Sequence, residues 1–164
     1  MRVFAISGYS GTGKTSLVES IVNTLVKNGY SVATIKSSKH PSGPEHGKDT
    51  WRHMQAGAAV SFFMGPNKDS NRLKDTLRTD ELEALSDHDF LIIEGMKSSN
   101  IPKFWCVANN ELVLEEIPAN TQAIVSWSGR EPMQGLNIPL LSIDEIEELV
   151  EVVKAKSMDF SKIE

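Results

Sequence analysis

The residues with the clearest chemical potential lie near the start of the chain, where Gly8–Thr15 read GYSGTGKT. This matches the pattern G-x-x-x-x-G-K-[ST], in which the glycines let successive backbone N–H groups face phosphate oxygens. In such a loop Lys14 would reach the β- and γ-phosphates, and the Thr15 hydroxyl would coordinate Mg²⁺. The stretch therefore predicts a nucleotide phosphate site. A strand-to-helix turn without a ligand would not require the lysine and the threonine together.

The segments on both sides of this loop fit that prediction. RVFAIS before it is a short, mostly apolar run of the kind found in buried parallel strands. After it, apolar residues recur at helical spacing in LVESIVNTLVKNG, and a helix that begins at the loop directs its N-terminal N–H groups at an anion. The predicted nucleotide contacts are nine consecutive residues: Gly8, Tyr9, Ser10, Gly11, Thr12, Gly13, Lys14, Thr15 and Ser16.

Two carboxylates are candidates to complete the site. DFLIIEG predicts a strand that ends at Glu94, and ligands of open parallel sheets bind at the carboxyl ends of strands. We expect Glu94 to bind Mg²⁺ directly or through water, or to orient an attacking water, unless it leaves the sheet into solvent. Asp49 opens a predicted helix, where it caps the helix, binds the metal through water, or does both. Lys14, Glu94 and Asp49 are thus the candidate catalytic residues, and Thr15, Asp49 and Glu94 the candidate metal ligands.

The remaining sequence alternates predicted strands with predicted helices. Strands are predicted over 31–38, 59–65, 122–127 and 138–142, and helices over 49–57, 72–86 and after a capping box that joins Ser142 to Glu145. Residues 39–47 read as a loop, and a hairpin is predicted around Asn109-Asn110. This order predicts an α/β fold, a mainly parallel sheet flanked by helices, with the architecture of a P-loop NTPase.

Length and composition narrow the function classes. We expect one domain over the 164 residues, with the tail after about Lys156 frayed. A net charge of −5 argues against non-specific binding to nucleic acid or to an anionic membrane. The single cysteine, Cys106, lies in the apolar stretch FWCV, so we expect a buried thiol and no internal disulfide. With no apolar run of 18 residues and no signal peptide at the strand-like N-terminus, the sequence predicts a cytoplasmic protein.

Four stretches together, GYSGTGKT, IKSSKH, GKDTWRHMQAGA and DFLIIEGMK, resemble the molybdopterin-guanine dinucleotide biosynthesis protein B (MobB) family over nearly the whole chain. The resemblance implies a homodimeric P-loop protein that binds GTP and hydrolyses it slowly. It also implies a partner, the MobA-type nucleotidyltransferase that joins GMP to molybdopterin. For this chain it implies a GTP site at Gly8–Thr15, with Mg²⁺ near Thr15 and acidic groups from Asp49 and Glu94.

The sequence also departs from the family pattern. After the second strand only His40 remains of a histidine-rich stretch, and IVSWSG lacks an acidic residue suited to a guanine edge. Because the chain has no N-K-x-D motif, the preference for guanine rests on the resemblance alone. Two alternatives stay open: an ATP-dependent small-molecule kinase or synthetase of the dethiobiotin synthetase type, and a non-catalytic nucleotide-binding adaptor to the nucleotidyltransferase.

Overall fold

The strands form one sheet in which all but one of the pairings are parallel. The computed structural model describes residues 1–39, 44–66, 73–108, 114–127, 135 and 137–163. Within them the sheet order is β3-β2-β4-β1-β5-β6-β7, and β8 runs antiparallel beside the start of β1. The strands are β1 (Arg2–Gly8), β2 (Val32–Ser37), β3 (Val60–Met64), β4 (Phe90–Glu94), β5 (Lys103–Val107), β6 (Thr121–Ser126), β7 (Leu140–Ser142) and β8 (Met158–Asp159).

Helices cover both faces of this sheet, as the sequence predicts. They are α1 (Lys14–Lys27), α2 (Pro44–Gln55), α3 (Leu73–Thr76), α4 (Thr79–Ser86) and α5 (Ile146–Lys156). Successive residues of a strand point to opposite faces. Phe4 and Ile6 therefore pack in one core cluster with α1 and α5, whereas Val3 and Ala5 pack in another with α3 and α4. In the described part of the chain no helix is long and apolar enough to cross a membrane.

The first βαβ unit follows the predicted pattern closely. The helix after the loop buries Leu17, Val18, Ile21, Val22 and Leu25, all fully inaccessible to solvent. Burial of each such side chain stabilises the fold by roughly 1.5–3 kcal/mol. The apolar stripe therefore fixes α1 against the sheet, and with it the loop that α1 continues.

Two helices differ from the prediction. The sequence predicts a loop over 39–47, but α2 begins at Pro44. Proline is well tolerated in a first helical turn, where its missing N–H needs no partner. The single helix predicted over 72–86 is two helices, because the backbone at Arg78 is extended (φ −73°, ψ 160°). There the Glu81 carboxylate accepts a hydrogen bond from the Arg78 backbone N–H (2.9 Å), and this contact caps the start of α4.

The prediction of a tail that is frayed after about Lys156 is wrong. Met158–Asp159 pairs with Val3 and Arg2, because β5 pairs with later residues of β1 and leaves these two free on that side. Ile163 is buried in the core cluster that also contains Leu73 of α3.

The prediction of a hairpin around Asn109-Asn110 is also wrong, since Leu114–Glu116 forms a short 3₁₀ helix and no strand. Since β5 has parallel neighbours on both sides, it has no edge for a hairpin partner. Residues 109–113 lie outside the described part of the chain.

Candidate functional site

The predicted phosphate loop connects β1 to α1, and the structure brings the three predicted metal ligands together beside it. The Thr15 hydroxyl donates to Glu94 Oε1 (2.9 Å), and the same hydroxyl oxygen lies 3.5 Å from Asp49 Oδ1. Glu94 reaches this place because β4 is the parallel neighbour of β1, with Ile6 opposite Glu94. Asp49 lies in the second turn of α2, so its alternative role as a helix cap is wrong.

Lys36 is a site residue that the sequence reasoning missed. Its ammonium donates to Asp49 Oδ2 (2.8 Å) and forms a second ion pair with Glu94 Oε1. The contact follows from the sheet register, in which Lys36 on β2 lies directly opposite Glu94 on β4. Burial tends to lower the pKa of Lys36, but the charges of Glu94 and Asp49 outweigh it and raise that pKa overall.

His53 is the second site residue that the sequence reasoning did not assign. Its ring is fully buried, and Nε2 lies 3.1 Å from Glu94 Oε2. Burial alone would raise the pKa of Glu94, but the hydrogen bond from His53 and the charge of Lys36 lower that pKa to about 2. Glu94 is therefore a carboxylate at neutral pH, and His53 Nε2 must be the donor. His53 Nδ1 is buried without a hydrogen-bond partner among the described residues.

Lys14 folds back over the loop. Its ammonium donates to the backbone carbonyl of Tyr9, and the Thr12 hydroxyl donates to the same carbonyl (2.9 Å). Burial lowers the pKa of Lys14 below its usual range, an effect that the charge of Glu94 opposes and that of Lys36 reinforces. A cation whose partner is a neutral carbonyl can exchange that carbonyl for a phosphate oxygen, which makes a stronger, charge-assisted hydrogen bond.

Tyr9 and Ser16, near the two ends of the loop, contact side chains from other parts of the chain. The Tyr9 hydroxyl donates to Glu116 Oε2 (2.7 Å), and the Tyr9 ring packs edge-on against Trp105. The Ser16 hydroxyl accepts from Arg52 Nη2 (3.1 Å). Ser10 and Gly11 are exposed at the tip of the loop.

Trp127, the residue after β6, fixes the last part of the loop. Its indole Nε1 donates to the Thr12 carbonyl (2.9 Å), and 47% of the residue remains exposed. Gly13 lies directly under the indole with φ +79°, and a Cβ added there would meet the indole atoms at 2.2–2.4 Å. This position therefore requires glycine both for its left-handed backbone and for the space that the indole takes.

We predict that Gly13→Ala destabilises the protein more than Gly29→Ala. Both glycines have a positive φ, but no atom lies within 4 Å of a Cβ added at Gly29, so only Gly13 combines backbone strain with a collision. A left-handed residue other than glycine costs about 1–2 kcal/mol, and displacing the indole adds to that cost. Urea unfolding followed by circular dichroism measures both variants, and equal losses of unfolding free energy would contradict the prediction.

The donor set at Thr15 suits Mg²⁺. Mg²⁺ prefers oxygen ligands and usually binds through one or two carboxylates plus phosphate and water, and here a hydroxyl and two carboxylates converge. The described residues contain no group of three or more His, Cys, Asp and Glu side chains that could hold a metal ion.

A mainly parallel sheet, with a glycine loop and lysine between the central strand β1 and its helix, defines a P-loop NTPase. The structure of HypB from Helicobacter pylori in complex with nickel shares this fold, with 16% identity, a TM-score of 0.64 and coverage of 98% of this chain and 90% of that one.

The chain belongs to a particular P-loop family. The family model for molybdopterin guanine dinucleotide synthesis protein B (MobB) matches residues 3–127, and the chain is a member of that family. The crystal structure of Bacillus subtilis MobB is similar over 96% of this chain and 99% of that one, with 26% identity and a TM-score of 0.65. The molybdopterin-guanine dinucleotide biosynthesis adapter protein of Haemophilus influenzae is 24% identical over 159 residues, covering 93% of this chain and 87% of that protein.

Proposed function

We propose that this protein is an adapter in molybdopterin-guanine dinucleotide biosynthesis that binds GTP with Mg²⁺ and hydrolyses it slowly. The observation that carries the proposal is the convergence of Thr15, Asp49 and Glu94 beside the glycine loop. The pathway comes from the family and from the names of the relatives, which describe adapter proteins of this biosynthesis. The preference for guanine comes from the resemblance of the sequence to that family.

The chemistry proposed for the site is phosphate positioning and charge neutralisation. Backbone N–H groups of the loop and the Lys14 ammonium would stabilise the negative charge of the phosphates. Glu94 accepts the hydrogen bond of the Thr15 hydroxyl, so the lone pairs of that oxygen stay available and would coordinate Mg²⁺. Mg²⁺, when bound, supplies Lewis-acid neutralisation of the phosphate oxygens. Asp49 and Glu94 would orient water at the metal.

The proposed partner is the MobA-type nucleotidyltransferase that attaches GMP to molybdopterin, and we propose that the protein acts as a cytoplasmic homodimer. The word adapter in the names of its relatives supports a protein partner. The net charge of −5 gives no support to a nucleic acid or an anionic membrane as the partner.

Calorimetric titration of GTP and ATP, each with Mg²⁺, tests the proposal. We expect GTP to bind at least about tenfold more tightly, a difference of about 1.4 kcal/mol in binding free energy. Equal affinities would contradict the guanine preference. Phosphate release is then measured with and without the purified nucleotidyltransferase and molybdopterin. ATP consumption that requires a small-molecule acceptor would support a kinase or synthetase. Tight association with the nucleotidyltransferase without GTP hydrolysis would leave only the adapter role.

A further inference from the structure

Lys36 forms ion pairs with both carboxylates of this site. Its ammonium contacts Asp49 Oδ2 at 2.8 Å and also contacts Glu94 Oε1. The side chains of Lys36, Asp49 and Glu94 are only 12%, 21% and 1% exposed, so water screens these charges weakly. Burying two carboxylates side by side is costly unless a cation lies between them.

The oxygens that bind Lys36 belong to the same carboxylates that face Thr15. Glu94 Oε1 accepts from both the Thr15 hydroxyl and Lys36, and Asp49 turns Oδ1 toward Thr15 and Oδ2 toward Lys36. A divalent cation bound at the Thr15 hydroxyl would therefore share its ligands with the ammonium. Two positive charges at such short separation repel each other, so the binding of one weakens the binding of the other.

We propose that Lys36 is a built-in counter-ion that competes with Mg²⁺ for Asp49 and Glu94. The inference rests on the proposed metal site and adds a regulatory element to it. By holding both carboxylates, Lys36 keeps the site ordered and keeps its affinity for a free divalent cation low. A nucleotide that brings Mg²⁺ also brings phosphate oxygens, which give the displaced ammonium a new anionic partner. Metal and nucleotide then bind as one unit.

The register of the sheet makes this competition a fixed property of the fold. Lys36 lies opposite Glu94 on adjacent parallel strands, so the two side chains share one face of the sheet. Glu94 Oε2 is held by His53, which leaves Oε1 as the oxygen available to Thr15, to Lys36 or to a metal. The ammonium and the metal cannot therefore divide the two oxygens of Glu94 between them.

The test measures Mn²⁺ binding in the absence of nucleotide, by the electron paramagnetic resonance signal of free Mn²⁺. We expect Lys36→Met to bind Mn²⁺ at least about tenfold more tightly than the wild-type protein, because it loses a competing cation at the ligands. Lys48→Met removes an equal charge from an exposed position of α2, and we expect it to change the affinity less than twofold. Lys36→Arg keeps a cation and should show no gain.

Folded Lys36→Met with wild-type affinity for Mn²⁺ would overturn the proposal. If Lys36→Met does not fold, Lys36→Gln retains a neutral hydrogen-bond donor and the same gain is required of it; without that gain the proposal is overturned. A separate titration of the wild-type protein with Mg²⁺ and GTP distinguishes this failure from that of the proposed function. If the wild-type protein binds GTP but Lys36→Met shows no gain in Mn²⁺ affinity, only the proposed competition is refuted. If Lys36→Met shows the gain but the wild-type protein does not bind GTP, only the proposed nucleotide function is refuted.

Discussion

Replacing Lys14 with alanine should reduce the affinity for Mg²⁺ and GTP by about 100-fold or more. Each hydrogen bond to a charged group contributes roughly 1.5–3 kcal/mol, and the lysine of such a loop reaches two phosphates. In the structure its ammonium is already on the loop, where it donates to the Tyr9 carbonyl. Calorimetric titration with GTP gives the change in affinity directly.

The loss of affinity should come without a matching loss of stability. Within the protein the Lys14 ammonium donates only to a neutral carbonyl, and that hydrogen bond contributes about 1 kcal/mol. Lys27→Ala is the matched control, because it removes the same charge from the opposite end of α1 at an exposed position. We expect the control to bind GTP like the wild-type protein. Unchanged GTP binding by Lys14→Ala would contradict the assignment of the loop as a phosphate site.

The part of the site that could be predicted from sequence is the part encoded in short segments. GYSGTGKT specifies the loop because its function depends on backbone conformation and on two neighbouring side chains. Glu94 was predictable because an apolar strand that ends in a carboxylate delivers it to the ligand edge of a parallel sheet. The predicted mainly parallel sheet flanked by helices is confirmed for the same reason, since the alternation of strand and helix patterns is local.

Lys36 and His53 were not predictable because they reach Glu94 through long-range packing. Lys36 contacts it across the sheet, from a strand 58 residues away. His53 contacts it from α2, a helix whose start at Pro44 was missed. Two prolines and two glycines in the segment 39–47 indicate a loop, and nothing in the order of the residues specifies that this helix packs against β2 and β3. Strand register and helix contacts depend on the folded chain.

These contacts also explain how a buried carboxylate is tolerated at the centre of the site. Glu94 accepts hydrogen bonds from Thr15, Lys36 and His53, one from each of three elements. Gly95, which follows it, has φ +114° and lies so close to β2 that an added Cβ would be 2.5 Å from the Ser37 carbonyl. The chain therefore turns sharply after Glu94 and keeps its carboxylate beside the loop. Glu94 therefore contributes both to the geometry of the site and to the stability of the fold.

Glu94→Gln should lower the free energy of unfolding by about 3 kcal/mol at pH 7. Removing one member of a buried ion pair costs roughly 3–5 kcal/mol, and a shift of the Glu94 pKa from 4.5 to about 2 corresponds to about 3 kcal/mol. The amide also places a donor where a carboxylate oxygen now accepts from His53. Urea unfolding gives the difference, and Glu83→Gln on the exposed side of α4 is a control expected to change stability by less than about 0.5 kcal/mol.

The pH dependence separates this charge effect from simple loss of packing. The folded-state pKa of Glu94 is below its ordinary value, so the unfolded chain binds the proton more readily. The stabilisation from the ionised carboxylate is therefore complete above about pH 4.5 and is lost as the pH falls toward about 2. We expect the stability difference between wild type and Glu94→Gln to stay nearly constant from pH 7 to about pH 5, and to shrink from there as unfolding is measured down to pH 3. A difference that stays constant over this range would mean that Glu94 stabilises the fold by its shape, and the ion pair with Lys36 would contribute nothing.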